Sequence, residues 1–364
     1  MKIYTPVVRA ANNDLQAVEL LGDRVKSFVM PLIEAPRSMS DGLLRTDVAK
    51  AAALLPGRIK GIPYYFDPLG IENFSRHIAA FSLLAEASEN FTPTIGLGRG
   101  AIDYVALANL INPHSLEIAI RLEKEDLEDA SEDTWSEVIS ITGQIGIEPS
   151  RVTLLIDFGQ LGATPVEAAI DLMLDFLTLQ PKSLAKIKIV TLGSTALSTV
   201  ATVPLDGQAD VLRRELQLWG TLRYELSGSR NLIGFGDYGV IDPSFIFPGG
   251  PAPNANAKIR YTRGASTTYF RGHGLYNPNR FPQFHDLARR VIDSAIYMGA
   301  RYSYGDKIIE DCAERRCGPG NAGTWVKIGM NHHIEYTANQ IDKLNNLLSA
   351  ASNIRDVQAI IART

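Results

Sequence analysis

Cysteine is scarce in this 364-residue chain: Cys312 and Cys317 are the only two, so no disulfide framework can support the fold. No apolar run approaches the ~20 residues that a membrane helix requires, and no membrane partner is expected. Excess positive charge is missing too. The net charge is −4 with 21% charged residues, which excludes general coating of nucleic acid and leaves no strong nucleic-acid signature. The opening MKIYTPVVRAANND has neither the basic nor the apolar region of a signal peptide, and a cytoplasmic protein is expected. Familiar catalytic signatures are absent as well: no GxSxG elbow, no GxxxxGKS/T loop, no HExxH. No cofactor is implied.

What is present is a repeating pattern. A short apolar, β-rich run is followed by a polar turn and then a helical stretch. Candidate strands are 3–8, 28–33, 62–66, 92–97, 116–122, 152–158, 187–192 and 232–235. Several are nearly continuous apolar segments, as parallel strands buried on both faces should be. Helical patterns lie between them: DGLLRTDVAKAAALL, SRHIAAFSLLAEA, EDTWSEVISITGQIG and TPVEAAIDLMLDFLTL. The last carries Thr164 as an N-cap and Pro165 as the first helical residue. Eight strands alternating with helices match the usual (β/α)₈ barrel of about 250 residues. A doubly wound open sheet would show a glycine-rich dinucleotide turn. The stretch Gly96-Leu97-Gly98-Arg99-Gly100 is not GxGxxG and reads as a loop.

After Gly239 the pattern changes. PSFIFPGGPAPNANA is too rich in Pro, Gly and Asn for helix or interior strand. Runs 258–262 and 267–270, joined by Arg263-Gly264-Ala265-Ser266, predict a hairpin. Residues 284–298 have helical periodicity, and a terminal helix pair is expected from Glu335 onward. The chain therefore reads as an α/β protein with a TIM-like barrel over residues 1–242. A C-terminal α+β extension over 243–364 would pack on one mouth of the barrel.

In such barrels functional groups collect at the C-terminal ends of the strands. Here those ends carry Glu34, Asp67, Arg121 with Glu123, Asp157 and Asp237. Charges at the tips of apolar strands are costly unless paired, hydrated or engaged with a ligand. Three readings stay open for this acidic ring with one arginine in it. It is a structural salt-bridge network with Arg121 paired to Glu34, Asp157 or both, a catalytic or ligand site with separated carboxylate pKa values, or a divalent-cation site. The last lacks DxD or HxE spacing. Glu123, Glu125 and Asp126 read as a solvated charge run.

The extension offers a second constellation. Arg263 and Arg271 each precede a glycine and His273 follows; such arginines can bind phosphate or carboxylate bidentately. An anionic small molecule is thus a possible partner. Trp325 is a further contact candidate. His332 and His333, read as adjacent strand residues, would point to opposite faces, so that one at most addresses a given site. Cys312 and Cys317 with these histidines invite a zinc reading, but the rest of a finger pattern is missing.

Several short motifs resemble the Beta protein family of phages. They are Tyr4-Thr5-Pro6-Val7-Val8, Pro31-Leu32-Ile33-Glu34, Leu154-Leu155-Ile156-Asp157, Gly236-Asp237-Tyr238-Gly239, Ile259-Arg260-Tyr261-Thr262 and Tyr269-Phe270-Arg271-Gly272. Tyr302-Ser303-Tyr304-Gly305-Asp306 and Gly320-Asn321-Ala322-Gly323-Thr324-Trp325 through Asn331-His332-His333-Ile334 complete the set. The match runs almost end to end, departing at Ala265-Ser266-Thr267-Thr268, where the family carries bulkier apolar residues. The resemblance implies a barrel protein of phages, prophages, satellite elements and bacterial genomes, in some cases beside toxin or phage-exclusion genes. It carries no catalytic role with it. The function it implies is that of an accessory or anti-phage defence protein that neutralises a toxin or senses a phage protein through the barrel mouth. The alternative is a barrel hydrolase for a phosphorylated or nucleotide-like small molecule.

Overall fold

The computed structural model describes the chain except for residues 1–3, 41–42, 70–73, 88–89, 99, 129–130, 163–164, 228–232, 247–254, 277–279, 349–350 and 352. Eight parallel strands close into a barrel: β1 (Tyr4–Arg9), β2 (Leu32–Glu34), β5 (Tyr64–Asp67), β6 (Phe91–Ile95), β7 (Ile118–Glu123), β8 (Val152–Gln160), β9 (Lys188–Ser194) and β11 (Ile233–Asp237). Each pairs with its neighbours in that order, and β1 closes the ring against β11. Every barrel strand expected from the sequence is present. Ile3 and Leu232, the ends of two of them, lie outside the described residues.

The strands are apolar because both faces are covered. Val7, Leu32, Tyr65, Ala119, Leu155, Val190 and Leu192 fill the barrel interior, while the alternate residues pack outward on the helices. Those helices are α1 (Asn12–Glu19), α2 (Asp23–Phe28), α3 (Val48–Arg58), α4 (Phe74–Ala87), α5 (Ala101–His114), α6 (Lys124–Glu128), α7 (Ser131–Ile145), α8 (Val166–Thr178) and α9 (Arg214–Glu225). Trp135 of α7 stacks on Phe176 of α8 with ring centroids 4.4 Å apart, which locks two neighbours of the outer layer.

Three boundaries differ from the sequence reading. Phe28, expected to open a strand, instead ends α2; pairing begins at the Val29 bridge to Tyr4. DGLLRTDVAKAAALL is not one helix, because β3 (Arg37–Ser40) and β4 (Leu43–Thr46) form a hairpin. Asp47 then caps α3 by accepting from the Lys50 amide. Pro165 sits just before α8 rather than inside it, and Thr164 lies outside the described residues.

The extension is built on a three-stranded antiparallel sheet of β10 (Gln208–Leu212), β13 (Ser266–Gly274) and β12 (Asn256–Arg263). The predicted hairpin is therefore formed, and Gly264 at its turn has φ +57°, a region that favours glycine. β10 comes from the connection between β9 and α9, so barrel sequence contributes a strand to this sheet. One sheet face packs on α10 (Gln283–Ile292), α11 (Tyr304–Ala313) and α12 (Ala322–Leu347), giving a second core around Tyr261, Phe270, Phe284 and Trp325. The segment holding His332 and His333 is thus helix, not strand. An Asn321–Thr324 capping box starts α12, thirteen residues ahead of Glu335, where the terminal helix was expected. α12 bridges the two regions, touching α1, α2 and β1 on one side and β12 and α11 on the other; α13 (Ile354–Arg363) packs on α9.

Candidate functional site

Side chains alternate across a strand, so residues two apart share a face. Glu34, Asp67, Arg121 and Asp157 each follow an interior residue by two positions: Leu32, Tyr65, Ala119 and Leu155. All four consequently point into the barrel at its C-terminal end, one layer above the apolar filling. Arg121 stands between the carboxylates. Its Nη1 donates to Glu34 Oε1 at 2.8 Å and to Asp67 Oδ2 at 2.6 Å, and its Nε to Asp157 Oδ2 at 3.1 Å. Its Nη2 reaches the Tyr238 hydroxyl at 2.6 Å, and that hydroxyl donates to Asp157.

This group holds three carboxylates against one guanidinium. Burial, followed by the Asp67 and Asp157 charges, pushes the Glu34 carboxyl up against the opposing pull of Arg121. Burial works against the Arg121 charge, but its anionic neighbours outweigh it and hold the guanidinium protonated. The guanidinium occupies the place that a divalent cation would take. Among the described residues no group of three or more His, Cys, Asp or Glu is arranged to hold a metal ion.

Asp67, Arg121, Asp157 and Tyr238 of the cluster line a cleft of about 820 Å³. One wall comes from the chain following β7: Glu123, Glu125, Asp126, Asp133 and Glu137. Gly96, Leu97 and Gly98 of the glycine-rich loop continue the lining, with the Gly98 amide donating to Glu137 at 2.6 Å; the segment does read as a loop, and Arg99 lies outside the described residues. With Asp67 and Asp157, seven carboxylates face Arg37 and Arg121 as the cations among the described lining residues. Their crowding is visible in the titration. Burial first, then the Asp157, Asp126 and Glu125 charges, raise the Glu123 carboxyl despite Arg121, and Asp126 is raised by burial, Glu137 and Glu125. The residues set aside in the sequence as a solvated run are therefore the cleft wall. Asp133, Glu137 and Tyr238 carried no signal strong enough to single them out.

Asp237 does not join this ring. It follows Phe235, whose ring packs outward on Trp219 of α9 and on Tyr4, both at 5.6 Å. Asp237 thus faces the helix layer, 1% exposed. It accepts from the Tyr4 hydroxyl at 2.6 Å, from Arg213 Nη2 at 3.2 Å, and bonds His333 Nε2 at 2.9 Å. Burial alone would raise this carboxyl; His333, Arg213 and Tyr4 outweigh it and hold it below the usual range. Burial holds His333 below its ordinary value against the pull of Asp237, and its Nδ1 shares a hydrogen bond with the Thr262 hydroxyl at 2.7 Å. Arg213, equally enclosed, also reaches Gln340 at 2.7 Å and Thr337 at 3.0 Å on α12. The sequence reading missed Arg213 altogether.

The other extension residues are likewise apart from the cleft. His332 Nδ1 bonds Asp306 Oδ2 at 2.8 Å and its Nε2 the Thr262 carbonyl at 2.8 Å, and its ring stacks on Tyr261 at 3.9 Å. Trp325 stacks on Phe284 at 5.0 Å, with its indole donating to the Pro319 carbonyl. Arg271 holds the carbonyls of Ala201 and Val203 at 3.1 and 2.6 Å. His273 pairs with Asp206 at 2.9 Å on the surface, and exposed Arg263 lies 6.0 Å from the Tyr336 ring on a separate cleft. Arginines and histidines of the extension therefore do not meet the barrel carboxylates at one composite mouth. Nor is a zinc set assembled: Cys312 packs on His285, and burial, then Cys317, push its thiol up to about 12.

The strand-end aspartates share a local role. Asp67, Asp157 and Asp237 each accept, through Oδ1, the amide two residues on, at 2.8, 2.8 and 3.0 Å. Those acceptors serve Leu69, Gly159 and Gly239, whose φ values are +58°, +55° and +59°. An aspartate that ties down a left-handed turn is what a tight strand exit needs. Turn chemistry thus explains why acidic residues recur there, while facing direction decides which of them reach the cleft.

Among solved structures the chain is similar to triosephosphate isomerase from Bartonella henselae, at 13% identity over 68% of this chain and 93% of that one, with a TM-score of 0.33. It is also similar to type I 3-dehydroquinate dehydratase from Clostridium difficile, at 10% identity over 67% of this chain and 87% of that one, with a TM-score of 0.37. No curated protein matches it. The family model described as Beta protein matches residues 4–339, nearly the whole length, and the chain belongs to the Beta protein family.

Proposed function

We propose that this protein acts by binding, as an accessory or anti-phage defence protein of phages and mobile elements, and that the acidic cleft at the barrel mouth receives a positively charged segment of a toxin or phage protein. The observation that supports this is the charge of the cleft: seven carboxylates against two arginines, in an open volume of about 820 Å³. Arg121 is already committed to Glu34, Asp67 and Asp157, Glu137 accepts from the Gly98 amide and Asp126 from the Glu123 amide, which leaves Glu123, Glu125 and Asp133 to attract a guest. Complementary charge of this kind steers encounter and selects partners. It works against a hydrolase for phosphorylated or nucleotide-like substrates, because a phosphate would meet like charge on nearly every side.

The test uses an arginine-rich peptide as probe, titrated calorimetrically into the full chain. Saturable binding that weakens as salt rises is expected, with loss in the Glu125→Gln/Asp133→Asn variant. In cells, the same variant should lose any protection against phage infection or toxin action that the wild type gives. Equal peptide binding by variant and wild type would end the cleft reading. A wild type that changes neither infection nor toxicity would end the defence reading.

A further inference from the structure

The two cysteines of this chain are not scattered. Both stand at the C-terminal end of α11, where the backbone brings them together. The helix ends in a Schellman turn: the Arg316 amide donates to the Asp311 carbonyl at 2.7 Å and the Arg315 amide to the Cys312 carbonyl at 3.0 Å. Arg315 supplies the left-handed residue, with φ +56°. The chain therefore folds back over the last turn of α11, and Cys317, the residue after the turn, packs on the same core as Cys312. The two thiols share a hydrogen bond, and both are free.

Their settings differ in a way that orders a reaction. Cys312 is 1% exposed, whereas Cys317 is partly open to solvent. Burial, then the Asp311 charge, raise the Cys317 thiol, and Cys312, Lys307 and Arg316 oppose them. Beside Cys312, His285 Nδ1 donates to the Cys312 carbonyl at 2.7 Å and lies 3.4 Å from its Sγ. A thiolate forming on Cys312 thus has an N–H next to it. Packing alone accounts for one buried cysteine, which behaves as a small apolar side chain. It gives no reason why the residue that meets it after the turn is also a thiol.

We infer that Cys312 and Cys317 are a reversible dithiol–disulfide pair, closed by exchange with a low-molecular-weight disulfide such as oxidised glutathione. Cys317, the accessible sulfur, attacks as thiolate; one glutathione leaves as thiolate and takes up the proton that Cys317 gave up. Cys312 then attacks the Cys317 sulfur of the mixed disulfide, and the second glutathione leaves with the proton that Cys312 lost. Two protein thiols are oxidised, one small disulfide is reduced to two thiols, and no other reactant enters. The new bond joins the end of α11 to the segment that enters α12. That segment runs through Pro319, whose carbonyl holds the Trp325 indole at 2.8 Å, to the Asn321 cap. Oxidation therefore fastens the start of the helix that seals Asp237, independently of the acidic cleft.

The experiment equilibrates the full, folded chain with reduced and oxidised glutathione at graded ratios. Samples are quenched in acid, unfolded, alkylated and weighed by mass spectrometry, so that both thiols are counted whatever their burial. The expected product is about 2 Da lighter than the reduced chain and takes up no alkylating agent. Cys312→Ala should stop at a mixed disulfide with one glutathione on Cys317. The same equilibration in urea measures the unfolded chain. A pair already held together should keep its disulfide against glutathione about tenfold better when folded, and the oxidised chain then unfolds at a higher Tm. Two glutathiones on the wild type, or thiols that stay alkylatable at every ratio, overturn the inference. So does a folded pair that closes no better than the unfolded one, since the native geometry then opposes the bond. The cleft variant Glu125→Gln/Asp133→Asn should oxidise as the wild type does.

Discussion

Two charged clusters sit at strand ends of this barrel, each an arginine surrounded by acceptors, and they have opposite fates. The Arg121 cluster opens onto a cleft, with side-chain exposures of 6–11%. The Arg213 cluster around Asp237 is sealed beneath α12, at 1%. In sequence the aspartates look alike, each ending an apolar strand and each fastening the amide two residues on. One pleat of register separates them. Asp157 shares a face with Leu155 of the interior, Asp237 with Phe235 of the outer layer. An inward strand-end charge meets the mouth, and an outward one meets a helix. The comparison teaches that a strand-end carboxylate is a site candidate only once its facing is known.

The largest effect should separate the two clusters by stability. Arg213→Met strands Asp237 and the acceptors of α12, and is expected to cost about 3–5 kcal/mol, as removal of one partner of a buried pair does. Chemical denaturation measures it, and a loss below about 1 kcal/mol would mean that the sealed cluster holds little of the interface together. Arg121→Met should cost less, about 2–3 kcal/mol, because its carboxylates border the cleft and can hydrate or protonate. Equal losses for the two arginines would erase the distinction between open and sealed clusters.

A smaller effect follows from Glu34. Its carboxyl is raised above the ordinary value of 4.5, so the folded state holds this proton more tightly than the unfolded chain. Its contribution is fully present below that ordinary value and is lost as pH rises through the folded-state pKa. Glu34→Gln should therefore gain in Tm relative to wild type as pH rises above about 4.5. Thermal unfolding at a series of pH values reads this, and a constant difference would show that Glu34 titrates normally. The smallest stability effect belongs to the cleft wall. Glu125→Gln/Asp133→Asn should stay within about 0.5 kcal/mol of wild type, which makes it the variant in which binding can be lost without loss of fold.

Much of the fold was legible in the sequence because burial on both faces demands continuous apolar strands, and amphipathic helices demand their own period. The β12–β13 hairpin was legible for the same kind of reason: two β-rich runs around a glycine that tolerates positive φ. The failures also have causes. The α12 stretch from Ala322 to Glu335 mixes glycines, histidines and threonine that argue against a helix locally; burial between β12 and α1 overrides that preference. Asn321 with Thr324 was an available start signal for it. At the candidate site, Glu34, Asp67, Arg121 and Asp157 could be named from strand ends alone. Asp133 and Glu137 could not, because they sit on α7 and reach the cleft only through the packing of that helix against α5 and α6.

By itself, then, the sequence determined the barrel, its strand order along the chain and the acidic character of its strand exits, since these follow from local periodicity and turn chemistry. Tertiary structure decided which exits open to solvent and that α12 seals Asp237 with Arg213 and His333. Those outcomes depend on strand register and on contacts between residues far apart in the chain, and no local pattern encodes either.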